Sequence, residues 1–174
     1  LQQHRTPPLF PVPLEIFQSD MTYNDFRAGE TLWPYEDIEI RTAPLNHPNG
    51  ATAYRVNFQG KSICYLTDTE HYADHLDENI LKLIDGADIV IYDSTYTEEE
   101  YPTRVGWGHS TWPEGVKLCD EAGVGQFVVF HHDPDHNDDF MDGVAKQVAE
   151  KRPGSVVAIE GMVLRPGDPE PSKS

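Results

Sequence analysis

The sequence predicts an α/β domain, a mixed β-sheet with helices on one face. Three observations carry that reading. Residues 38–43, IEIRTA, alternate apolar with polar side chains as a half-buried strand does. Residues 53–58 and 62–66 flank the short Gly-containing loop Gln59-Gly60-Lys61, the pattern of a hairpin. After Asp68 the period changes. Leu76, Ile80, Leu83 and Ile84 fall on one helical face, and strand-like and helix-like runs alternate from there on.

Taken in order, residues 1–13 hold four prolines and show neither period, so they read as a loop lying over other structure. Residues 14–22 suit an extended segment, and residues 30–34, ETLWP, a turn. The alternating strand at 38–43 leads to the turn His47-Pro48-Asn49-Gly50. Beyond the hairpin and the first helix, which Gly86 ends, residues 88–92 form a buried strand that opens into the polar, aromatic loop 93–101. Thr111-Trp112-Pro113-Glu114 has capping-box spacing and starts a helix to Ala122, with Val116, Cys119 and Ala122 inward. A strand at 127–130 follows, then a helix at 138–150 with Phe140, Val144 and Val148 inward, then a last strand at 155–159. The organisation expected is a loop-rich segment at 1–37, a folded core at 38–166, and a Pro/Ser-rich disordered tail at 167–174.

Composition narrows the function. A chain of 174 residues fits one domain. Its net charge of −17 argues against long nucleic acid and anionic membranes as partners, because phosphate contacts need Lys and Arg. The sequence has no apolar run of membrane-spanning length and no secretory pattern. Cys64 and Cys119 both lie in apolar settings and read as buried free thiols, which makes a reducing cytoplasm the expected location.

The residues with chemical potential gather where apolar runs end. His47 follows Leu45-Asn46, Asp68 follows the run 62–66, and His131 and His132 follow 127–130. In α/β proteins the carboxyl ends of strands are where ligands bind. Imidazole and carboxylate donors suit zinc, manganese or iron. Each residue also has a plain reading. His47 fits a surface turn, Asp68 a turn or helix cap, and His109 the start of a helix. Asp133, Asp135 and His136 fit a solvated acidic turn. Tyr96, Tyr101, Trp107 and Trp112 could stack on a base or sugar, or only pack the loops.

Four pieces in this order, Leu45-Asn-His-Pro48, Tyr65-Leu-Thr-Asp-Thr69, Gly108-His-Ser-Thr111 and Phe130-His-His132, resemble the metallo-β-lactamase-fold hydrolases, and among them the phosphodiesterase-like branches. The resemblance implies an αββα sandwich, of which this chain matches the C-terminal part. It also implies two divalent metal ions, zinc first and manganese or iron next. His47, Asp68 and His131 would be metal ligands, with Asp68 bridging. His109 would be the catalytic residue that assists the leaving oxygen. His132 is the alternative ligand to His131, and with Asp133 and Asp93 it belongs to the residues that could orient the site. Asp93 could hydrogen-bond His109 and raise its pKa. The family's first metal motif, His-x-His-x-Asp-His, does not occur in the sequence. The expected activity is hydrolysis of a small or cyclic nucleotide or sugar phosphodiester. The alternatives are an ester, lactone or thioester hydrolase of the same fold, or a catalytically incomplete fragment that lacks the His-x-His-x-Asp-His half of the site. The partners expected are a small-molecule phosphodiester and a homo-oligomer mate or a complementary N-terminal chain.

Overall fold

The computed structural model describes residues 22–168 and 172–173. The loop expected at 1–13 and all but the last residue of the extended segment at 14–22 lie outside them. Seven strands form one sheet in sequence order: β1 (Thr31–Tyr35), β2 (Ile38–Leu45), β3 (Ala51–Phe58), β4 (Lys61–Leu66), β5 (Ile89–Asp93), β6 (Gln126–Phe130) and β7 (Val156–Val157). β1 to β4 pair antiparallel through tight turns. β4 to β7 pair parallel. Their crossovers carry α1 (Glu78–Ile84), α2 (Trp112–Glu121) and α3 (Asp138–Lys151). The mixed α/β architecture is the one the periodicity predicts.

One apolar core lies between the helices and one sheet face. Cys64, Leu66, Val90, Tyr92, Phe127 and Val129 meet Ile80, Ile84, Val116, Cys119, Val144 and Val148 there. Alternation decides which side chains point inward. In β4 the buried residues Ser62, Cys64 and Leu66 are interleaved with the less buried Ile63 and Tyr65. Gly115 allows α2 to lie close on the sheet, because a Cβ there would sit 2.7 Å from the Tyr92 and Phe127 rings. Both cysteines are free and buried, and burial pushes each thiol up to about 12, so neither is a nucleophile at neutral pH. The opposite sheet face is apolar too. Ile63, Tyr65, Ile91, Val128 and Phe130 line an open cavity of about 320 Å³, partly roofed by Ala158, Ile159, Met162 and Leu164. Among the described residues no helix is long and apolar enough to cross a membrane.

Three local expectations need correction. The turn expected at 30–34 is instead strand β1 (Thr31–Tyr35), an edge strand whose register slips between Leu32 and Tyr35, around Pro34. Thr111 is the N-cap of α2, but its hydroxyl makes no capping bond and is buried without a partner, while Glu114 turns to Lys117. Thr111 is instead held extended, in a bridge to Tyr96. Phe140 lies in the first turn of α3 and is 39% exposed, stacked on His136. The stripe that packs is Met141, Val144, Ala145 and Val148. Separately, β9 (Ser172–Lys173) pairs with β8 (Met162–Val163), and Arg165 donates to the Ser172 hydroxyl.

Candidate metal centre

The pairing pattern explains why distant residues meet. β2 runs antiparallel to β3, and β3 to β4, so β2 points the same way as β4, β5 and β6. The carboxyl ends of all four therefore share one sheet edge. His47 follows β2, Asp68 follows β4, Asp93 ends β5, and His131 follows β6. His109 reaches the same edge from the loop before α2.

Asp93 organises this edge. It is fully buried. Its Oδ2 accepts the Asp68 N–H at 2.9 Å, the Thr69 N–H at 3.3 Å and the His109 Nδ1–H at 2.9 Å. Its Oδ1 accepts the Thr95 N–H and hydroxyl at 3.2 and 2.8 Å and the Ser110 N–H at 3.3 Å. Six donors saturate the two oxygens, so Asp93 is a holder of loops and not a free ligand. The bond to Asp93 raises the His109 pKa above the usual imidazole value, against the opposing effect of burial. It also fixes Nδ1 as the inner nitrogen and leaves Nε2 free.

Asp68 sits between the histidines. Ligand atoms of His47, Asp68 and His109 lie within 4.8 Å of one another, as do those of Asp93, His109 and His131. His131 Nε2 is 3.9 Å from Asp68 Oδ1, and its Nδ1 is 3.0 Å from the Thr95 hydroxyl, which turns Nε2 toward Asp68. His47 Nδ1 accepts the Asn49 N–H at 3.2 Å, which ties the ring to its own turn. Two of these residues are strained. Asp68 and His131 have φ of 63° and 61°, the left-handed region that costs a non-glycine about 1–2 kcal/mol.

The structure thus brings His47, Asp68, His131 and His109 together. His109, which the sequence reading sets apart from the ligands, lies inside both groups. His132 goes elsewhere: its Nε2 is bonded to the Ala158 carbonyl at 3.2 Å, and burial lowers its pKa. Asp133 accepts the Asp135 N–H within its own acidic turn, and His136 pairs with Glu100. Of the aromatics, Tyr96 is buried and Tyr101 bonds Glu70, whereas Trp107 is 57% exposed beneath the Arg104 guanidinium. Thr95 and Glu70 are members of the edge that sequence reasoning missed. Only their closeness to Asp93 and Asp68 in the chain hinted at them.

Comparison with known proteins follows this geometry. A ribonuclease Z from an Exiguobacterium species is 30% identical over 112 residues, which is 63% of this chain and 34% of that protein. One from Oceanobacillus iheyensis is 25% identical over 151 residues, 84% of this chain and 46% of that protein. The chain therefore spans about a third to a half of the length of these relatives. The crystal structure of the metallo-β-lactamase fold protein YhfI from Bacillus subtilis superposes with a TM-score of 0.63 at 19% identity, covering 76% of this chain and 50% of that one. The family model described as the beta-lactamase superfamily domain matches residues 11–132, most of the sheet and every candidate residue up to His132, and the chain belongs to that family.

Proposed function

We propose that the complete protein is a metal-dependent phosphodiesterase of the metallo-β-lactamase fold. One observation carries the reading: three histidines and an aspartate converge on one strand edge, above a buried carboxylate that orients one of the histidines. His47, Asp68 and His131 would hold the cations, with Asp68 shared. Their donors suit zinc, and manganese or iron after it. When bound, such cations supply Lewis-acid activation of water and offset phosphate charge. These three ligands, divided between two positions, leave each short of the three protein ligands that catalytic zinc sites use. Further ligands then come from outside the described residues. The apolar sheet face at Ile63, Tyr65 and Ile91 suits the packing of a second sheet, which would complete the sandwich of which residues 38–166 are one part.

His109 acts in this reading as proton donor. Asp93 holds Nδ1, Nε2 faces the edge, and the raised pKa keeps the ring protonated to higher pH. The relatives' name supports phosphodiesters as the bond class. The net charge of −17 supports a small or cyclic diester over long RNA. The test uses full-length protein loaded with zinc. An alkyl phosphodiester is expected to be cleaved in preference to a carboxylic ester or lactone. His109→Ala is expected to lower turnover roughly 10²–10⁴-fold with metal content kept. An aryl phosphodiester, whose leaving group needs little protonation, should lose less. Preference for the ester overturns the substrate class, and loss of metal in the variant makes His109 a ligand.

A further inference from the structure

We infer that Glu70 is a positioning residue for the reaction, the clamp that holds the 101–108 loop so that His47 and His109 face each other across Asp68. The inference rests on the role proposed for His109. Glu70 is buried, and it lies two residues beyond Asp68. Its carboxylate faces away from the ligand groups and into a loop. Oε2 accepts the Gly106 N–H at 2.9 Å and the Gly108 N–H at 2.9 Å. Oε1 accepts the Gly106 N–H at 2.8 Å and the Tyr101 hydroxyl at 3.1 Å. Its backbone ties a second loop. The Glu70 N–H donates to the Asn46 carbonyl at 2.8 Å, and the Asn46 side-chain amide donates to the Glu70 carbonyl at 3.0 Å. One residue thus joins the loop that carries His47, its own loop after Asp68, and the loop that leads into His109.

The loop it holds needs holding. Gly106 and Gly108 both have positive φ, 87° and 88°. Gly108 passes so close to His47 that a Cβ there would lie 2.2 Å from the imidazole Cδ2. Glycines with two exposed neighbours, Val105 and Trp107, give this segment little apolar anchorage of its own. A buried carboxylate with two backbone N–H donors is a strong, directional substitute. Asp93 fixes the ring of His109, and Glu70 fixes the backbone that delivers it.

The experiment compares variants in full-length, zinc-loaded protein and reads turnover, metal content and amide exchange there. Glu70→Ala should lower kcat on an alkyl phosphodiester about 10²-fold, the scale of an ångström's misplacement, with metal content unchanged. On a His109→Ala background the same change should cost less than about 3-fold, because residues acting as a unit are not additive. Exchange at the Gly106 and Gly108 amides should quicken in Glu70→Ala, and Glu70→Gln, which keeps an acceptor oxygen, should restore most of both properties. Should Glu70→Ala fail to fold, Glu70→Asp withdraws the carboxylate by one methylene and carries the same readouts. Multiplicative losses with His109→Ala, or metal lost with Glu70, would overturn the inference. Unchanged exchange at both glycines overturns the clamp itself. A His109→Ala variant of full activity overturns the proposed function instead, while the exchange measurement still judges the clamp.

Discussion

Asp88 and Asp93 stand at the two ends of one apolar run, and the two ends have different uses. Asp88 precedes β5. It accepts the Ser62 N–H at 2.8 Å and the Ser62 hydroxyl at 3.1 Å, and Lys61 pairs with it. That is a staple between the starts of two parallel strands. Asp93 ends the run with the same functional group, and six donors from three loop segments converge on it. The difference teaches that residue type does not set the role here. At the amino ends the chain arrives from short turns, and a carboxylate has only a neighbouring strand to bond. At the carboxyl ends four strands release their loops side by side, and a buried acceptor gathers them.

The widest gap between the two ends should appear in catalysis. Asp93→Asn replaces an acceptor oxygen by an N–H donor facing His109, so turnover of the full-length enzyme on an alkyl phosphodiester should fall roughly 10²–10⁴-fold. Asp88→Asn should leave turnover unchanged in the same assay. Equal losses would break the comparison.

Stability should register the Asp88 end even where turnover does not. Asp88→Ala leaves the Ser62 N–H without its acceptor, and chemical denaturation of this chain should show a loss of about 1–3 kcal/mol. A silent variant would mean that water replaces the carboxylate fully.

The strained edge offers a smaller test with opposite signs. Asp68→Gly removes the left-handed penalty and should stabilise this chain by about 1 kcal/mol. In the full-length protein the same variant should lose metal and activity together. A destabilised Asp68→Gly would show that the side chain, not the backbone strain, dominates there.

The smallest effect is in acid. Burial opposes the charge of Asp88, but the Ser62 and Lys61 bonds hold its carboxyl below the usual range. A depressed carboxyl adds stability that is present above its unfolded pKa of about 3.9 and is lost as pH falls through the folded value. Asp88→Asn should therefore lower stability by a constant amount near neutrality and flatten the acid limb of the profile below about pH 4, where the two proteins converge.

Local pattern determined much of this protein. Alternation at 38–43, the Gly-containing hairpin at 59–61 and the helical stripe from Leu76 to Ile84 are properties of a few adjacent residues, and each folds as its period requires. The positions of His47, Asp68, Asp93 and His131 at strand ends were legible for the same reason. Their family resemblance made the candidate set readable as well, while their roles as ligands remain for the experiments above. Residues 31–35 were misread because their strand character comes from pairing with β2, a contact that lies outside any local window. Phe140 was misread because a helical period says which face is apolar but not which neighbour a first-turn ring meets, here His136. Only the tertiary structure decided that four strands run the same way and so bring four sequence-distant groups to one edge. It alone revealed the strain at Asp68 and His131 and the bonds from Glu70 to Gly106 and Gly108. Hydrogen-bond partners 36 and 38 residues apart leave no period in the sequence, since their geometry exists only once the sheet has fixed both ends.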